Sequence, residues 1–202
     1  MNWPNGLTLG RLVLGPAVLV AVLAGRPLAA LALFVVAMLS DLYDGYLARR
    51  LGSVTDFGKF MDPLADKVVV SLALLGLVVS GSAFVPVWMA SVIIGRELLV
   101  LGYRIAFRTQ GLGFETSRTA KAKTLFQMTW IAVVLLHASV FSHGGVGGAS
   151  ILGRGLGAGA WLLGFAAVAL TVMTGVEYFL SPRAAASSQP ATPGRGGERG
   201  AD

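Results

Sequence analysis

The sequence predicts an all-α integral membrane protein: six transmembrane helices preceded by a short N-terminal helix lying in the membrane interface. Two observations carry this expectation. Of 202 residues, 55% are hydrophobic and only 13% charged, with a mean hydropathy of +0.73, which is far more apolar than an ordinary soluble domain. Six apolar stretches can be marked, at 11–25, 28–50, 62–80, 84–107, 119–141 and 155–180. Most reach the roughly 20 residues that a tilted helix needs to cross a bilayer, and the first does so by borrowing from the residues before it.

Residues 1–10 mix Trp3 and Pro4 with small apolar and polar residues, the pattern of an interfacial helix leading into the first span. Asn5, Thr8 and Arg11 interrupt this segment and no small-residue cleavage site stands out, so it is expected to be retained rather than removed as a signal. The second span has an uninterrupted apolar run, 28–39, before Ser40 and Asp41; the third has a similar run, 68–79, after Asp66 and Lys67. Each run covers about 18 Å of a hydrocarbon layer roughly 30 Å thick. The missing length must come from the segments that carry the aspartates, which puts those aspartates below headgroup level in a polar cavity between helices.

The fourth span carries Arg96 well inside it, where an unpaired guanidinium is costly. Its neighbour Glu97 points to a different side of the helix, so the expected partner is on another helix or is a substrate phosphate. The fifth span opens with Arg118, Lys121 and Lys123, and Arg104 stands near the end of the fourth. His137 and Glu177 read as packing or interface residues, and Trp88, Trp130 and Trp161 as lipid-facing or belt residues. The glycine-rich run 144–148 is expected to be a flexible outer loop, since no Lys-Ser/Thr follows it as in a phosphate loop. Beyond residue 180 no aliphatic is larger than alanine, so 181–202 is expected to be a disordered cytoplasmic tail on a membrane domain spanning 1–180.

The formal charge of +6 does not point to nucleic acid, because the basic residues are spread through inter-helix segments with no soluble domain to present them. Topology explains them better. With Arg49, Arg50 and Lys59 in the cytoplasm, Arg26 and Arg154 are the arginines left outside, so both termini and the aspartates face the cytoplasm of a multi-pass protein of the cell inner membrane. The absence of cysteine excludes disulfides and thiolate metal sites, leaving oxygen or imidazole as metal donors.

Half of the ten acidic residues fall between Asp41 and Asp66. At about 100° per residue, Asp41, Asp44, Gly45 and Ala48 share one face of a helix, with Arg49 at its edge where it could hold a phosphate; Asp62 and Asp66 stack on the next helix. Asp56 falls outside this pattern, in the connecting loop. Taken alone, Asp62 before Pro63 could be an ordinary N-cap. Four carboxylates brought together in hydrocarbon would repel and protonate unless divalent ions neutralised them. Two ions, Mg²⁺ or Mn²⁺, about 3.5 to 4 Å apart and bridged by aspartate oxygens would also polarise a diphosphate.

The pattern Asp41-x-x-Asp44-Gly45-x-x-Ala48-Arg49, with Gly58-x-x-x-Asp62-x-x-x-Asp66 beyond it, resembles the signature of the CDP-alcohol phosphotransferases. The resemblance implies a membrane enzyme, a homodimer, that moves a phosphatidyl-type group from a CDP-linked donor to an alcohol and releases CMP. It implies that Asp41, Asp44, Asp62 and Asp66 bind the metals, that Asp66 accepts the proton, and that Gly45, Arg49 and Thr55 contact CDP. The opening Pro4-Asn5-Gly6-Leu7-Thr8-Leu9-Gly10-Arg11, the run from Gly58 to Lys67, Gly95-Arg96-Glu97, and Lys121 to Thr124 with Gln127 are similar to the branch that uses CDP-diacylglycerol and glycerol 3-phosphate. A dianionic acceptor needs cations, and Arg96, Arg104, Arg118, Lys121 and Lys123 are the candidates for its phosphate, although basic residues at cytoplasmic helix ends also serve as topology markers. Inositol phosphate, or phosphatidylglycerol as in a cardiolipin synthase, are the alternative acceptors. An intramembrane cation transporter would use the same aspartates, but it leaves the spacing of Gly45, Ala48, Arg49 and Gly58 without a reason.

Overall fold

A computed structural model describes residues 3–51, 56–108, 118–141 and 150–180. Every regular element among them is an α-helix: α1 (Trp3–Leu23), α2 (Pro27–Leu51), α3 (Asp56–Val79), α4 (Val87–Arg108), α5 (Arg118–Phe141) and α6 (Ile151–Leu180). The expected tail, the glycine-rich loop and Thr55 lie outside the described residues.

The helix ends follow from local chemistry. Past α1, Gly25 takes φ 66°, and the amides of Gly25 and Arg26 donate back to the carbonyls of Val22 and Ala21. Past α3, Gly81 takes φ 75°, and the amides of Gly81 and Ser82 donate to Val78 and Leu77. Both are left-handed glycine caps that satisfy the last carbonyls of a helix and turn the chain back. Pro27 then opens α2 in the position where its missing N–H costs nothing. Ser150 caps α6, its hydroxyl accepting from the amide of Gly153 at 3.1 Å.

Three boundaries differ from those read off the sequence. The N-terminal interfacial helix is not a separate element: Trp3–Leu23 is one helix that runs through the expected junction at Gly10 and Arg11 without a break. Helix α3 begins at Asp56 rather than near residue 62. Asp56 therefore starts a helix instead of lying in a loop, and Asp62 sits inside α3, where it cannot be an N-cap. Helix α6 begins at Ile151, four residues before the expected 155, because of the Ser150 cap.

The six helices close into a ring in which α1 touches α2, α2 touches α5, α5 touches α6, α6 touches α4, α4 touches α3, and α3 returns to α1. Each helix turns a stripe of buried residues inward at alternating three- and four-residue steps. The stripe is Arg11, Gly15, Val18 and Val22 in α1, and Ala30, Phe34 and Ala37 in α2, continuing toward Asp41. It is Ala90, Ile93, Glu97 and Val100 in α4, Lys123, Gln127, Trp130 and Val134 in α5, and Ala160, Gly164, Ala167, Thr171 and Thr174 in α6. This spacing keeps one seam facing the neighbours. Close approach depends on glycine: a Cβ on Gly15 would lie 3.2 Å from Val68, and one on Gly164 would lie 2.9 Å from the Trp130 ring. Trp130, expected to face lipid, is instead fully buried against Gly164, while Trp88 and Trp161 are exposed.

Large aliphatic side chains cover the outside, among them Val13, Leu28, Leu99, Leu125 and Leu162. Two helices, α5 and α6, contain stretches long and apolar enough to cross a membrane by length and composition, Ala122–Phe141 and Ile151–Glu177.

Candidate functional site

At one end of the ring the inward stripes change from apolar to polar. Arg11, Asp41, Asp66, Glu97, Lys123, Thr171 and Thr174 mark that change: successive helices run in opposite directions, and these residues fall in the first half of α1, α3 and α5 and from the middle onward in α2, α4 and α6. The opposite end is apolar and aromatic, with His137 packed on Phe84 at 4.7 Å and on Phe141 at 4.9 Å between ring centres.

The site has two charged groups. In the first, Nη1 of Arg11 donates to Oδ1 of Asp41 at 2.7 Å and to Oδ1 of Asp66. The guanidinium is 1% exposed, while the two carboxylates are 34% and 30% exposed. The arginine thus forms the floor, and the carboxylates from α2 and α3 open outward. The two carboxylates supply oxygen donors without thiolates, the type that suits Mg²⁺ or Mn²⁺. The residues therefore fit the expected metals. Among the side chains described, no set of three or more acidic, histidine or cysteine residues comes together; those of Asp44 and Asp62 lie outside the described set, although α2 and α3 carry both residues.

In the second group, Glu97 of α4 is 2% exposed and receives the ammonium groups of Lys67 from α3 and Lys123 from α5. Lys123 is itself 2% exposed, whereas Lys67 is 27% exposed. Nη1 of Arg96 stands 3.6 Å from Glu97, and Nη2 donates to the Thr174 hydroxyl of α6 at 3.1 Å. The expected partner on another helix is thus present, but Glu97 was not expected to take part: the side chains of Arg96 and Glu97 leave the helix at different angles, and the long arginine reaches back to it. Gln127 donates to the Thr171 hydroxyl at 3.1 Å, and the Thr119 hydroxyl to Glu177 at 3.2 Å, which ties α5 to α6 at the same end.

Gly45 and Arg49 fall in the last turns of α2, Arg104 in the last turns of α4, and Arg118 and Lys121 in the first turn of α5; their side chains are outside the described set. Three residues that join the site were read from sequence as something else. Arg11 and Lys67 stood only as the last residues of two runs similar to one family branch, with no role of their own, and Glu97 only as a neighbour of Arg96. A signal was available in the stripe: Arg11 is four residues before Gly15 and seven before Val18, and Glu97 is four beyond Ile93, so each is in register with a buried face.

Above the carboxylates an apolar groove of about 280 Å³ runs between α2 and α5, lined by Leu31, Val35, Met38, Ala132 and Leu136. Met38 lines both this groove and the small gap beside Arg11, Asp41 and Asp66.

Comparison with known proteins adds two findings. The family model for CDP-alcohol phosphatidyltransferases matches residues 1–180. A CDP-diacylglycerol--glycerol-3-phosphate 3-phosphatidyltransferase of Bacillus subtilis (strain 168) is 39% identical over 193 residues, covering 88% of this chain and 93% of its own length. A protein of the same name from Rickettsia felis is 34% identical over 181 residues, with 88% and 93% covered. A Mycobacterium tuberculosis protein named "Probable phosphatidylglycerophosphate synthase" is 36% identical over 183 residues, covering 88% of this chain and 79% of its own.

Proposed function

The chain belongs to the CDP-alcohol phosphatidyltransferase family, and from that premise we propose that it transfers the phosphatidyl group of CDP-diacylglycerol to sn-glycerol 3-phosphate, yielding phosphatidylglycerophosphate and CMP. The relatives' names supply the donor and the acceptor. The observation that carries the reading is the convergence of Asp41 and Asp66, from adjacent helices, at the polar end of an otherwise apolar bundle. A transporter reading has no comparable support from the relatives.

In this reading an acceptor hydroxyl oxygen attacks the phosphorus that bears diacylglycerol. Its proton passes to the carboxylate of Asp66, and the bond between that phosphorus and the bridging oxygen breaks with the electron pair leaving on CMP. Asp41, Asp44, Asp62 and Asp66 would hold two divalent ions, which when bound would neutralise charge on the diphosphate. Gly45 leaves room for the nucleotide, Arg49 holds its phosphate and Thr55 contacts it. Arg11 fixes the spacing of Asp41 and Asp66 from below. The groove between α2 and α5 keeps an acyl tail in apolar surroundings while the headgroup sits at the carboxylates. Arg96, Arg104, Arg118, Lys121 and Lys123 form the basic side that receives the acceptor's phosphate.

All six helices span the inner membrane with the polar end in the cytoplasm, as part of the same proposal. The shortest, α1, has 21 residues and so reaches about 30 Å. A homodimer completes the proposal, since the family resemblance implies one. The test is to incubate the purified protein with labelled CDP-diacylglycerol, Mg²⁺ or Mn²⁺ and a panel of alcohols. CMP release with glycerol 3-phosphate is the expected result; release only with another alcohol would replace the acceptor, and none with any alcohol would overturn the transferase reading.

A further inference from the structure

Glu97 occupies an inward position on α4 with a lysine on either side, Lys67 from α3 and Lys123 from α5. Two ammonium groups share one carboxylate, and Nη1 of Arg96 stands 3.6 Å from it, so the cations around Glu97 outnumber its single negative charge. A buried ion pair adds little stability by itself, because desolvation offsets most of the attraction. Surplus charge in an apolar bundle is harder still to explain as stability, and it suits an anion that arrives from outside. The trio is not sealed: Lys67 is 27% exposed and is the residue after Asp66, itself 30% exposed. One accessible cation of the trio therefore adjoins the carboxylate pair where the acceptor hydroxyl must lose its proton.

We infer that Glu97 is a positioning residue for the phosphate of the acceptor alcohol: it holds the ammonium groups of Lys67 and Lys123 in place, and Lys67 presents one of them to that phosphate. The inference rests on the transferase reading above. Lysine has a flexible four-carbon stem and loses much rotamer freedom when it grips a ligand. An anchored ammonium has lost that freedom already, so the bound phosphate gains affinity. Glu97 pairs with cations of α3 and α5 and of its own helix, and it is not paired with Arg11, Asp41 or Asp66, so its effect is expected on the acceptor side.

The experiment uses the full chain in detergent micelles and compares wild type with Glu97→Gln, Glu97→Asp and Lys67→Gln. Two readouts are taken: KM for each substrate with kcat, and calorimetric binding of sn-glycerol 3-phosphate without donor. The expected result is a rise of about tenfold in the acceptor KM for Glu97→Gln and Lys67→Gln, matched by a similar loss of binding, as for one charge-assisted contact. The donor KM stays within about twofold, and Glu97→Asp recovers part of the acceptor affinity. If Glu97→Gln does not fold, Lys67→Gln decides, since it leaves Glu97 paired with Lys123. An unchanged acceptor KM and affinity in a folded variant, or an equal rise in both KM values, would overturn the inference. If wild type releases CMP only with a different phosphate-bearing alcohol, the acceptor assignment fails while the same variants, read on that alcohol, still decide the role of Glu97.

Discussion

Arg11 shares its helix face with Gly15, Val18 and Val22, and its environment decides its function. At 1% exposure its guanidinium would be prohibitive without partners, and Asp41 and Asp66 provide them. Arg11→Gln removes the charge and leaves two carboxylates facing each other. It is expected to destabilise the protein by on the order of 1–3 kcal/mol, read as a lower thermal midpoint in detergent, with Arg11→Lys losing less. Spacing alone singled out four aspartates, because carboxylates in an apolar chain stand out by type, and the structure brings two of them, Asp41 and Asp66, onto one arginine. Arg11, Lys67 and Glu97 were not singled out, because cations near helix ends are common in membrane proteins and a single acid beside an arginine suggests a local pair. What distinguishes them is register with a buried stripe, and that becomes compelling only once the neighbouring helices are in place.

At the scale of elements, the apolar runs located six helices, and in the structure glycines close two of them. Gly25 and Gly81 are caps in left-handed conformation. Both sit where an apolar run stops. The starts of α3 and α6 were missed for a shared reason: their first turns, Asp56 to Met61 and Ile151 to Arg154, are not continuously apolar, so a hydropathy pattern cannot include them. The seam between α5 and α6 yields a sharper expectation. A methyl group at Gly164 would lie 2.9 Å from the rigid Trp130 ring, whereas one at Gly159 would meet nothing within 4 Å. Gly164→Ala is therefore expected to cost about 1–3 kcal/mol by forcing the helices apart, while Gly159→Ala changes stability by less than about 0.5 kcal/mol. Thermal unfolding of the two variants side by side checks this.

The whole molecule is a ring with one polar end, and that polarity sets its expected orientation. Because the chain has no cysteine, single cysteines can report sidedness without background. In vesicles of known orientation, a cysteine at Arg154 is expected to react with an impermeant reagent only from outside, and one at Arg50 only from the cytoplasmic side; the reverse pattern would contradict the proposed topology. Deleting 181–202 is expected to leave CMP release intact, because the family match ends at residue 180. The class of the protein and its membrane character were legible from composition, since only a bilayer accepts so much apolar surface. The ring order, in which α2 neighbours α5 and α4 neighbours α6, was not, because it depends on which stripes complement each other across distant stretches of chain.

The proposed function requires that the aspartates of α2 and α3 form a divalent-metal site that carries phosphatidyl transfer. The most direct measurement is CMP release from CDP-diacylglycerol and glycerol 3-phosphate as a function of Mg²⁺ or Mn²⁺, in wild type and in folded Asp44→Asn and Asp62→Asn. Chelation is expected to abolish release, either ion to restore it in wild type, and both variants to stay inactive at every metal concentration. Release that persists without divalent ions, or more than a few per cent of wild-type activity in both variants, would contradict that requirement.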